Sequence, residues 1–145
     1  VAATATAGND WIEGGAGVDL LAAGAGNDYL DGGIDNDQLY GEDGDDVLDG
    51  GDGIDQLSGG AGNDDLRGGA GDDILAGHDG ADTLFGEVGA DQLDGGNNND
   101  QLFGGAGNDV LFGQAGDDYL DREENDDELQ GGDGNDELVG DSGND

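Results

Sequence analysis

An aspartate stands at every ninth residue from Asp10 to Asp145, sixteen times in one phase, with no insertion or deletion. A second column follows two residues behind: Ile12, then leucine at every ninth position from Leu21 to Leu138. A period this short is not the trace of a few long elements folded around one centre. Each unit is a small step that can bury its apolar residue only by stacking on its neighbours, which is the mark of a solenoid. Gly59–Ala76 shows the unit at its plainest, as Gly-Gly-Ala-Gly-Asn-Asp-Asp-Leu-Arg and then Gly-Gly-Ala-Gly-Asp-Asp-Ile-Leu-Ala. Glycine fills places one, two and four, aspartate place six and leucine place eight.

The register starts at Ala5 and runs to Asp145, so one domain over residues 1–145 is expected, with no linker inside it. The first six places of each unit read as a turn and the last three, such as Val47-Leu48-Asp49, as a short strand. Side chains alternate along a strand, so the eighth-place leucines form an inner column. Seventh-place residues such as Gln38, Gln56, Gln92 and Glu128 then face solvent. Helix is excluded by the density of glycine and by the lack of a 3.6-residue period. At the fourth place the only departures from glycine are Asp35, Asn98 and Asn125. Asn and Asp tolerate positive φ best among non-glycine residues, so this place is expected to be left-handed. The second place admits Glu42, His78, Glu87, Gln114, Glu123 and Asp141, which argues against a positive φ there.

Composition explains what such a chain needs. With 38 acidic residues, two arginines and no lysine, its formal charge is −36. One leucine per nine residues is a thin core to set against the backbone entropy of ordering the chain. Low hydrophobicity with high net charge reads by itself as disorder, so something besides the core must stabilise the fold. Nucleic acid is excluded as a partner because Arg67 and Arg122 cannot replace its counterions. Membrane insertion is not expected, since no apolar run approaches the ~20 residues of a spanning helix. Cysteine is absent, so there is no disulfide framework. Val1–Thr4 is too short to cap a solenoid and the chain stops at the sixth place of a unit. The expectation is a segment of a longer protein.

A glycine-rich turn can aim several backbone carbonyls inward, and the aspartate at its end adds a carboxylate. Oxygen donors in a flexible cage suit Ca²⁺. If two units make one coil of 18 residues, unit n stacks on unit n+2 and an ion can lie between them, with Asp64 sharing one ion with Asp46 and another with Asp82. Sixteen turns on two edges leave about fourteen such gaps, enough divalent charge to offset most of the −36. The unit Gly-Gly-x-Gly-x-Asp-x-Leu-x resembles the RTX (repeats-in-toxin) nonapeptide, a calcium-binding β-helix repeat, over residues 5–145. The resemblance implies an all-β, right-handed parallel β-roll, secreted by bacteria through type I export and folded outside the cell. It carries the side-chain ligand role to Asp10, Asp19, Asp28, Asp37, Asp46, Asp55, Asp64, Asp73, Asp82, Asp91, Asp100, Asp109, Asp118, Asp127, Asp136 and Asp145, with turn carbonyls supplying the remaining oxygens. The six gaps beside Asp35, Asn98 and Asn125 depart from the pattern, and about eight keep it in full.

Other readings are weaker. A solvated acidic surface does not need sixteen aspartates in phase. An EF-hand at Asp43-Gly44-Asp45-Asp46 lacks flanking helices and the closing glutamate. His78 reads as a surface substitution, and Ser58 and Ser142 have no histidine near them in register. With no His-Glu-x-x-His motif and no nucleophile beside a base, the segment is not expected to be an enzyme, although it could accompany a secreted hydrolase. An adhesive or ice-binding face lacks the threonine ladder it would use. Residues 18 apart do bring Trp11 over Tyr29 over Val47, and Phe85 over Phe103, as ordinary cross-strand pairs or as a contact patch for a neighbouring domain or protein. The poorest unit is Arg122–Gln130, which lacks all three turn glycines yet keeps Asp127 and Leu129. Its strand is expected to survive and its turn to be impaired, with Arg122 repelling a cation unless it folds outward onto Glu124.

Overall fold

The computed structural model describes residues 2–5 and 7–140. Sixteen strands, from β1 (Ala2–Thr4) and β2 (Trp11–Ala16) to β15 (Glu128–Asp133) and β16 (Glu137–Val139), alternate between two eight-stranded sheets. Odd-numbered strands make one sheet and even-numbered strands the other, each in sequential order. Pairing is parallel and in register at a spacing of 18, as in Leu84 opposite Leu102 and Leu30 opposite Leu48. The result is a parallel β-solenoid with two nonapeptides per coil and no helix among the described residues.

Three places of each unit turn inward: the sixth, the eighth and the first. The leucines from Leu21 to Leu120 are fully or almost fully buried, and the two sheets meet along this double column. The column weakens at its ends, where Ile12 and Leu129 are half-buried and Leu138 is 48% exposed, because a terminal coil has a neighbour on one side only.

The expected division into six turn and three strand residues needs correction. A full strand holds six residues, places seven to nine and one to three, and the turn is only places four to six, as Thr83–Val88 and the following Gly89–Asp91 show. The pairing skips the first place: Phe85 faces Phe103 and Glu87 faces Gly105, but Gly86 has no opposite number. The strand therefore bends at its first place and resumes, which lets one short peptide serve as wall and corner.

The second place also differs from expectation. Glu42, His78, Glu87, Gln114 and Glu123 all have positive φ, between 62° and 81°, so polar side chains there tolerate a left-handed backbone. Asp141 lies outside the described residues. The fourth place is left-handed at Asp35, Asn98 and Asn125, with φ of 78° to 88°, as the chemistry of those residues suggests. The first place needs glycine for a different reason. A Cβ on Gly68 would stand 2.5 Å from Asp73 Oδ2 and 2.9 Å from the Gly86 carbonyl oxygen of the next coil. Ala23, wholly buried, shows that a single methyl can be fitted at this place.

Candidate metal centre

The sixth-place aspartates stack into one column along each edge of the solenoid. Those from Asp19 to Asp118 are buried at 0–3% exposure, Asp10, Asp127 and Asp136 are half-buried, and Asp145 lies outside the described residues. In each column the Oδ1 of one aspartate accepts the backbone N–H of the aspartate 18 residues earlier. Asp64 Oδ1 takes the Asp46 N–H at 2.8 Å, and Asp82 Oδ1 takes that of Asp64 at 2.8 Å. The other edge repeats this, with Asp73 Oδ1 on the Asp55 N–H and Asp91 Oδ1 on that of Asp73, both at 2.8 Å.

The second carboxylate oxygen is the anomaly. From Asp28 to Asp118, and again at Asp127, Oδ2 is buried without a hydrogen-bond donor. A buried carboxylate lacking a partner is costly, and the protonation equilibria register it. Burial pushes the Asp64, Asp91 and Asp100 carboxyls up to about 7, and those of Asp73 and Asp109 up to about 6. The accepted N–H offsets this in part, whereas stacked neighbours add to it, as Asp82 and Asp46 do for Asp64. Burial likewise raises Asp37, Asp46, Asp55, Asp82 and Asp118.

Backbone oxygens line the same turns. The bonds joining successive turns run from fourth-place N–H groups to third-place carbonyls of the next coil (Gly44 to Ala61, 2.7 Å), and from seventh-place N–H groups to sixth-place carbonyls of the preceding coil (Thr83 to Asp64, 2.8 Å). Fourth-place carbonyls are not among their acceptors. They lie along the axis against the next coil, so that the Gly71 oxygen occupies the space of a Cβ on Gly89. Among the described residues no three acidic or histidine side chains converge on one point. A cation in these turns would therefore draw most of its ligands from the backbone. Oxygen-only donors, orphaned buried carboxylate oxygens and axial carbonyls fit a hard divalent ion such as Ca²⁺.

A second ladder escaped the reading of the sequence. Fifth-place side chains accept the N–H of the fifth-place residue one coil later, the opposite direction to the sixth-place column. Asn63 takes the Ala81 N–H at 2.9 Å, Asp72 that of Ala90 at 3.0 Å, and Asn36 that of Ile54 at 3.1 Å. The recurrence of Asn or Asp at Asn9, Asn27, Asn36, Asp45, Asn63, Asp72, Asn99, Asn108 and Asp117 was the available signal. These groups are exposed and neutralise no charge.

The surface holds one further correction. Ser58 does have a histidine beside it, for His78 Nε2 lies 2.9 Å from Ser58 Oγ across the coil; Ser142 lies outside the described residues. The Ser58–His78 pair is exposed. The aromatic residues stack as expected: Trp11 on Tyr29 at 4.4 Å, and Phe85 on Phe103 at 4.9 Å and nearly parallel. Phe103 also meets Tyr119 at 5.8 Å, and the Arg67 guanidinium covers Phe85 at 5.6 Å.

A search of curated proteins returns no similar relative. Compared with protein families, the chain matches the RTX calcium-binding nonapeptide repeat at residues 4–39, 24–57, 58–93, 94–127 and 123–145, which together span almost the whole sequence. With its unbroken register and its stacked aspartate columns, the chain belongs to the RTX calcium-binding nonapeptide repeat family.

Proposed function

We propose that this chain is a folding module driven by calcium outside the cell, carried by a bacterial protein exported through type I secretion. The observation that supports it most is the row of buried Oδ2 atoms without donors, repeated turn after turn. The residues that would hold the ions are the sixth-place aspartates from Asp10 to Asp136, together with turn carbonyls, each inner aspartate serving the gap on either side of it. Asp145 completes the set from the sequence pattern alone. Calcium would supply the positive charge that a chain of −36 lacks, at up to about fourteen gaps.

The protein's own groups do the rest. The Oδ1 bonds fix each carboxyl in one rotamer, and the leucine columns hold the turns in register. Without metal, buried like charges oppose the compact state. Extracellular calcium modules bind at roughly 10⁻⁴ to 10⁻³ M, so the chain stays unfolded at cytosolic calcium and folds after export. Circular dichroism and small-angle scattering during a calcium titration at pH 8 test this. Calcium should convert an expanded chain into a compact β-rich one, and magnesium should not. A compact β-rich form in excess chelator at that pH would overturn the proposal.

Trp11, at 69% exposure on the outer coil, favours a second role for that end of the aromatic face as a contact for a neighbouring domain or protein. Trp11→Ala should then weaken the association without changing the calcium midpoint. The stacked Phe85–Phe103 pair is accounted for as a cross-strand contact.

A further inference from the structure

Strand pairing explains the Phe85–Phe103 stack, but not the hollow beside it. A cavity of about 310 Å³ open to the surface lies against these two rings, lined also by Gly105, Glu87, Glu123 and Glu124. Two features of the backbone create it. Glu87, Gly105 and Glu123 hold the second places of three successive coils on one sheet, so a residue without a side chain lies between two glutamates. The strand that should carry Glu123, β14 (Tyr119–Asp121), stops after three residues, and only a bridge from Glu124 to Ala106 remains of its second half. One wall of the hollow is therefore irregular chain, and it is acidic.

These glutamates are not used within the fold. At two other second places the side chain reaches back 20 residues, to the ninth place of the coil before: His78 Nε2 lies 2.9 Å from Ser58 Oγ, and Gln114 donates to Asp94 Oδ2 at 3.0 Å. The same step leads from Glu123 to Phe103, which offers no donor, and from Glu87 to Arg67, whose guanidinium pairs with Asp65 at 3.3 Å. Glu87, Glu123 and Glu124 are exposed and make no ion pair among the described residues. Arg122 does not answer them, for it is 5% exposed and lies against Gly140 rather than folding outward onto Glu124. Arg67 shows what could. It rests over the Phe85 ring at 5.6 Å while a carboxylate holds its charge. A second copy of the chain is a poor occupant, because two chains of −36 repel, there is no lysine, and the exposed Arg67 is already engaged.

We propose that the hollow is a docking site for an arginine side chain of a basic partner protein. The aliphatic stem packs on Phe85 and Phe103, and the guanidinium lies above Gly105 within reach of the Glu87 and Glu123 carboxylates, whose geometry suits its planar fork. Glu124 adds negative charge at the rim. The inference needs the folded coils but no ion in the turns.

The test titrates the folded chain, at about 0.15 M salt, with acetyl-Gly-Arg-Gly-amide and follows the ring signals of Phe85 and Phe103 by NMR. The arginine peptide should shift both rings saturably. Its citrulline counterpart, alike in shape but uncharged, should shift neither. The lysine counterpart should bind about threefold or more weakly, since an ammonium neither forks nor stacks. Glu87→Gln combined with Glu123→Gln should weaken arginine binding about threefold or more. Gln114, with a φ of 75°, shows that glutamine fits a left-handed second place, so this variant is expected to fold. Glu42→Gln with Asp52→Asn removes the same charge from exposed positions elsewhere and should leave binding unchanged. Equal losses in the two double variants would reveal only a general attraction to an acidic chain and overturn the proposal. Unshifted phenylalanine signals, or equal binding of the lysine or citrulline peptide, would overturn it as well.

Discussion

The buried carboxyls make protons and calcium competitors for the same oxygens, and Asp64 shows how far this reaches. Its folded carboxyl is pushed from 3.8 up to about 7 by burial and by Asp82 and Asp46. At pH 8 the metal-free fold therefore carries a penalty on the order of 4 kcal/mol at this residue. Because the folded pKa is raised, the metal-free folded state holds the proton more tightly than the unfolded chain. Its stability is greatest below the unfolded value and is lost as pH rises towards 7. Lowering the pH from 8 to 5 in chelator should thus compact the chain and raise its β signal, while staying clear of the isoelectric point near 4.1. In calcium the same change should raise the calcium midpoint, since protons then occupy the ligand oxygens.

Asp64→Asn separates the two effects. Its amide oxygen can still accept the Asp46 N–H, but the group has no charge. At pH 8 the variant should stabilise the metal-free fold by up to roughly 4 kcal/mol and still need more calcium to reach the loaded state. Small-angle scattering and circular dichroism in chelator, with calcium titrations at pH 8 and 5, measure both. An unchanged radius and β signal between those pH values, together with an unaltered calcium midpoint for Asp64→Asn, would refute the reasoning.

Leu84→Ala, in the fully buried column, should cost about 2–5 kcal/mol in urea unfolding of the calcium-loaded chain, whereas Leu138→Ala, at 48% exposure, should cost under ~1 kcal/mol. Glu87→Gly, which relieves a φ of 73°, should stabilise the loaded fold by roughly 1 kcal/mol in the same assay; a loss would mean that the left-handed second place carries no strain. Asp73→Ala removes a carboxylate stacked between Asp55 and Asp91, so it should raise the calcium midpoint more than Asp10→Ala, whose residue begins its column. Equal shifts would argue against ions shared between stacked turns.

Much of this was legible because a solenoid converts sequence period into spatial period. The strict ninth-residue columns dictate the coil length, the register and which residues stack, and strand alternation dictates which of them point inward. Asp64 and Leu66 could be assigned without coordinates, because every coil repeats the same local chemistry. The chain's charge and thin core likewise pointed to something besides the core as a source of stability. The sequence could not supply what depends on contact between coils. Whether the second place needs positive φ turns on how the bent strand rejoins its ladder, and residues as unlike as Glu42 and His78 concealed it. The orphaned Oδ2 atoms appear only when neighbouring turns bury a carboxyl that has one donor for two oxygens. That Arg122 lies buried against Gly140 rather than folded outward onto Glu124 was decided by the space between coils, which a long flexible side chain follows.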